Sequence, residues 1–140
     1  MKVPSVKSVL VVDDEAHIVQ VVSLKLTNAG YRVLPAYDGE EAFEIASRED
    51  VSLIITDFQM PYMTGIDLAK ALMSDADKSR IPILILTARG HSMDQTEADL
   101  ENIQAVLTKP FSPRLILQQV EALIGTPSSE SPSKGAQEVA

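Results

Sequence analysis

Three acids at two places, one hydroxyl and one amine carry the chemistry this chain could do: Asp13 and Asp14, Asp57, Thr87 and Lys109. Each closes a short apolar run. Ser8-Val-Leu-Val-Val precedes the acid pair, Val51-Ser-Leu-Ile-Ile-Thr precedes Asp57, Ile81-Pro-Ile-Leu-Ile-Leu precedes Thr87, and Ala105-Val-Leu-Thr precedes Lys109. Runs of this kind fit buried parallel strands, which puts the polar residues at carboxyl ends, where the ligand sites of open α/β sheets form. Side by side, the four ends bring three carboxylates, a hydroxyl and an ammonium to one rim. Crowded carboxylates repel one another unless a cation neutralises them, and all-oxygen donors suit a hard ion such as Mg²⁺. Thr87 and Lys109 then offer donors to an anion, so the set describes a metal site beside a nucleophile. Taken singly, Asp57 is a turn former or helix cap, Thr87 a strand former and Lys109 a solvated strand end. Only their joint occurrence carries the functional reading.

The intervening segments must position these ends, and they read as helices alternating with the strands, a βα repeat that implies a parallel sheet covered on both faces. Ile18, Val21, Val22 and Ala29 recur at helical steps as a core face, with His17, Gln20 and Lys25 toward water and Asn28-Ala-Gly30 as the stop. Tyr31 to Pro35 reads as a strand, with Pro35 favouring an edge. Asp38 is a helix cap with Glu41 three residues on, and Ala42, Phe43, Ile45 and Ala46 form the next apolar face. Met60-Pro61 turns the chain toward a helix around Ile66 to Met73, and residues 74–80 read as a solvated loop. From Arg89 to Asn102 the sequence is polar, with Met93, Ala98, Leu100 and Ile103 as anchors of a weak helix. A last helix from Ser112-Pro113 carries Leu115, Ile116, Val120, Leu123 and Ile124, and Gly125 ends it.

Composition bounds the answer. The chain has 140 residues, 45% of them apolar, which suits one domain with a sizeable core. With no Cys there is neither a disulfide framework nor a thiolate zinc site. No apolar run approaches the roughly 20 residues of a membrane span, and the start lacks a signal-peptide core, so a cytoplasmic location is expected. The net charge is −8, and no Lys/Arg cluster appears, which argues against direct nucleic-acid binding. Residues 126–140 have the composition of a disordered tail or a cut linker. His17 and His91 lack metal-ligand spacing and read as surface residues.

Asp13-Asp14, Asp57 with Met60-Pro61 and Gly65, Thr87-Ala88 and Lys109-Pro110 together resemble the receiver domain of two-component response regulators, of the chemotaxis type, over residues 5–125. The resemblance implies a doubly wound (βα)5 flavodoxin-like fold with strand order 2-1-3-4-5. It implies that Asp57 takes a phosphoryl group from a histidine kinase or phosphotransfer protein. Asp13, Asp14, Asp57 and the backbone carbonyl of Gln59 would hold Mg²⁺. Lys109 would pair with the acids and then the phosphoryl oxygens, Thr87 would hydrogen-bond a phosphoryl oxygen, and the Lys109–Pro110 bond would be cis. Such a domain is no enzyme beyond its own phosphorylation and dephosphorylation. It signals to an output domain or downstream protein, and a homodimer can form through the 89–102 segment, the Val106 strand and the final helix.

Two departures stand out. Val106 lies where the family usually has Tyr or Phe, so an aromatic switch is absent, and Gln59 and Arg89 occupy positions that tune phosphoryl lifetime. Two other classes share the parts list. A Mg²⁺-dependent phosphohydrolase with an Asp nucleophile would show Asp-x-Asp after the first strand, and a flavin-binding domain would need a phosphate-binding loop there instead of Asp13-Asp14-Glu15.

Overall fold

The computed structural model describes residues 6–88 and 100–127. Five strands run parallel: β1 (Ser8–Val12), β2 (Arg32–Ala36), β3 (Leu53–Asp57), β4 (Ile83–Thr87) and β5 (Ile103–Thr108). Their order across the sheet is β2-β1-β3-β4-β5, the doubly wound topology expected. β1, β3 and β4 are buried along their whole length, as strands covered on both faces should be. β2 is the half-exposed edge that Pro35 tolerates.

Helices α1 (Ala16–Ala29) and α4 (Pro113–Ile124) cover one face, and α2 (Gly39–Arg48) and α3 (Gly65–Met73) the other. On the first face Val19, Val22 and Leu26 meet Ile116 and Val120 over Val9, Val11, Ile55 and Leu86. On the second, Ala42, Ile45 and Ala46 meet Ile66, Ala69 and Leu72 over Leu10, Ile54 and Ile85. One expectation for α1 fails. Val21 is 45% exposed, and Val19 and Leu26 join the expected Val22 in the core, because Ile18, Val19, Val21 and Val22 around Gln20 fit more than one helical face.

The strand before Lys109 begins earlier than expected, at Ile103, which the sequence had assigned to a helix. A register shift between Ile83 and Leu84 inserts Gln104, so that Ile103 packs toward α3 while Ala105 and Leu107 pack toward α4. Between α3 and β4 the solvated stretch contains a short 3-10 turn, Lys78–Arg80. The weak helix expected between Arg89 and Asn102 falls largely outside the described residues, as do Arg89 and His91.

Caps fix where the helices start. Asp38 accepts from the Glu41 N–H, and Thr64 and Asp67 form a reciprocal capping box. Ser112 caps α4, with Pro113 in its first turn. At the far end of the sheet from the polar rim, the end of α4 is tied down. The Lys7 ammonium donates to the Ile124 carbonyl, the Tyr31 hydroxyl to the Gly125 carbonyl, and the Lys7 N–H to the Pro127 carbonyl. The described contacts thus continue to Pro127.

Candidate functional site

Parallel pairing sets the rim. Thr56 lies beside Val12, and Asp57 beside Leu86, so the acids that follow β1 arrive next to the end of β3. The loop after β3 must then leave without covering Asp57. Gly65 makes this possible: a Cβ there would stand 2.5 Å from the Asp57 carbonyl oxygen, and its N–H donates to the Phe58 carbonyl. The same loop holds Tyr62, fully exposed at φ 69°, a left-handed conformation that is uncommon for an aromatic residue.

Asp13, Asp14 and Asp57 each place a carboxylate oxygen within 4.8 Å of the others. Asp13 is fully buried, Asp57 nearly so, and Asp14 is exposed. Lys109 closes the group, with its ammonium 3.0 Å from Asp57 Oδ1 and 3.1 Å from Asp13 Oδ2. A third carboxylate, Glu15 Oε1, lies 3.5 Å from the same ammonium. The backbone between Asp13 and Glu15 is fixed by the Glu15 N–H donating to Asp13 Oδ1.

Electrostatics follow from this crowding. Burial pushes the Asp57 carboxyl up to about 6, against the Lys109 hydrogen bond that lowers it, and the neighbouring Asp13 charge adds to the rise. Burial likewise raises Asp13, opposed by the Glu15 N–H and by Lys109. For Lys109 burial works toward loss of the proton, but hydrogen bonds to Asp57 and Asp13 prevail and hold it above its ordinary value. The cluster is short of positive charge by itself, and three convergent carboxylate oxygens fit a small hard cation.

Thr87 ends β4 on the same rim and is buried, and its hydroxyl finds no hydrogen-bond partner among the described residues. Its carbonyl accepts the Lys109 N–H, which ties the two strand ends together. The Lys109–Pro110 bond is cis. Gln59 is exposed and lines an open cavity with Asp14, Met60, Pro61 and Thr64. Val106 stands apart, 44% exposed on β5 and paired in register with Ile85. His17 is at the surface. The reach of Glu15 to Lys109 was not foreseen, and its only sequence signal is a third consecutive acid.

A fold of this order with its acids and lysine on one rim defines a class, and the comparisons identify it. The family model for the response regulator receiver domain matches residues 9–121, and the chain belongs to that family. It is 40% identical to the alkaline phosphatase synthesis transcriptional regulatory protein PhoP of Bacillus subtilis, over 89% of this chain and 53% of that protein. It is 34% identical to chemotaxis protein CheY1 of Helicobacter pylori, covering 84% of this chain and 96% of that one. Thus the chain spans about half the length of the PhoP-type relatives and nearly all of the CheY-type one.

Among solved structures, the chemotaxis response regulator CheY4 of Vibrio cholerae superposes with a TM-score of 0.78 at 35% identity, over 85% of this chain and 99% of that one. The receiver domain of sensor histidine kinase PA1611 from Pseudomonas aeruginosa, described with a magnesium ion in its active-site cleft, gives 0.76 at 25% identity, over 87% and 100% of the two chains. This is a two-component signalling domain with a phosphoacceptor function, and the phosphohydrolase alternative is not favoured. No helix among the described residues is long and apolar enough to cross a membrane.

Proposed function

We propose that Asp57 is the phosphoacceptor, taking a phosphoryl group from a histidine kinase or phosphotransfer protein. The observation that supports this best is the meeting of three carboxylates with Lys109 at the end of β3, where Asp57 Oδ1 is 3.0 Å from the ammonium. Asp13, Asp14 and Asp57, with the Gln59 carbonyl, would hold Mg²⁺, which when bound neutralises the acids and the charge on the transferring group. Asp57 supplies the nucleophilic oxygen. Lys109 is released from Asp57 as that oxygen forms an acyl phosphate while the P–N bond to the donor histidine breaks, and it turns to the phosphoryl oxygens. Thr87 gives its unpartnered hydroxyl to another of them.

That new bond would draw the loop after Thr87 inward and so change the face made by the 89–102 segment, the Val106 strand and α4. Val106 is short and β-branched, and it has no ring to swing. Loop movement would therefore carry the response to an output domain or downstream partner, or to a second copy of the chain through the same face. The receiver unit is taken as residues 5–125, with Thr126 and Pro127 as the first step of the segment beyond, and its setting as the cytoplasm. Acetyl phosphate with Mg²⁺ should add one phosphate, and Asp57→Ala or EDTA should abolish it. Equal incorporation in Asp57→Ala, found by mass spectrometry, would overturn the assignment.

A further inference from the structure

Glu15 opens α1 at the capping position, yet its side chain makes no capping hydrogen bond. It leans over the rim instead, and its Oε1 lies 3.5 Å from the Lys109 ammonium. This acid differs from the other two partners of Lys109. Asp13 and Asp57 are buried and belong to the carboxylate cluster, whereas the Glu15 side chain is 54% exposed and lies outside that cluster.

A cation and a phosphoryl group would commit Asp13 and Asp57 to other partners. Glu15 alone would keep its claim on the ammonium. We infer that Glu15 is a positioning residue that holds Lys109 at the mouth of the site and competes with the incoming phosphoryl oxygens for it. The inference rests on the phosphoacceptor reading of Asp57. Lys109 must give up this contact before it can serve the phosphoryl group, so Glu15 slows phosphorylation and weakens binding of a phosphoryl mimic.

Two variants separate contact from charge. Glu15→Gln removes the charge and keeps the length, while Glu15→Asp keeps the charge and loses the reach. With acetyl phosphate and Mg²⁺, both variants should label about two- to five-fold faster than wild type, a range expected for one released ion pair at an exposed rim. Beryllofluoride affinity should rise in parallel, and in metal-free protein the Lys109 Nζ resonance should shift in both variants. A Glu15→Asp protein that labels like wild type would reduce Glu15 to a source of general repulsion and overturn the inference. So would an unmoved Lys109 resonance. Absence of labelling in wild type would instead sink the phosphoacceptor reading, and the resonance would still test the contact.

Discussion

The two halves of the rim are in opposite states. On the acid side one ammonium serves three carboxylates, and each of its contacts is made at rest. On the hydroxyl side Thr87 is buried with an oxygen that has no hydrogen-bond partner among the described residues. The first half is assembled and holds itself together, though with more negative charge than its one cation can offset. The second half carries the cost of an unmade hydrogen bond until an acceptor arrives. With Asp57 as the proposed phosphoacceptor, such a receiver would have its charge chemistry prepared in advance and the Thr87 hydroxyl left open for a phosphoryl oxygen.

Substitutions should therefore act with opposite sign on the two halves. The largest effect is expected from Lys109→Met, which leaves Asp13 and Asp57 facing each other without a cation. Loss of one partner from a buried pair is strongly destabilising, and with the rim partly open to water we expect a loss of about 2 kcal/mol in metal-free urea unfolding at pH 7. An unchanged midpoint would mean that the acid side is not held by Lys109.

A second test uses pH. Burial, with Asp13 as a lesser cause, raises the folded-state pKa of Asp57 to about 6 from 3.8, so between those values the folded protein binds more protons than the unfolded chain. Stability of the metal-free protein is then highest below pH 3.8 as far as this group is concerned, and it falls as pH rises through about 6. After allowance for solvent screening the loss is about 1–2 kcal/mol. Asp57→Asn should flatten that slope in thermal melts taken from pH 4 to 7.5, and a slope that persists would assign it to other groups.

The smallest effect should come from the hydroxyl side. Thr87→Val replaces an unpartnered buried hydroxyl with a methyl of similar shape, and it should stabilise the metal-free protein by about 0.5–1 kcal/mol. The same change should blunt the NMR response to beryllofluoride. A destabilised Thr87→Val would reveal a partner for the hydroxyl and erase the contrast between the halves.

Most of this architecture was legible in the sequence because its signals are local. Apolar runs ending in one polar residue mark β1, β3 and β4, and caps such as Asp38 and Ser112 announce α2 and α4. What escaped depends on distant partners or on degenerate patterns. Valines clustered at positions 19, 21 and 22 support more than one face of α1, and only packing against α4 and the sheet selects Val19 over Val21. Ile103 joins β5 because the Ile83 N–H donates to the Asn102 carbonyl and Ile83 pairs with Ile103 in register, neither visible in a polar stretch. For the site, residue types gave the acids and Lys109. The contact of Glu15 with a lysine 94 positions away, and the missing partner of Thr87, exist only in three dimensions.

The tether at the end of α4 sets a geometric limit on how this domain can speak. Lys7 and Tyr31 grip the last carbonyls of the helix at the pole opposite Asp57. A five-residue strand separates the two poles, a span of about 17 Å. Pro127, whose carbonyl accepts the Lys7 N–H, thus stands at the pole opposite the carboxylates, so a phosphoryl group on Asp57 would act there only across the length of the sheet.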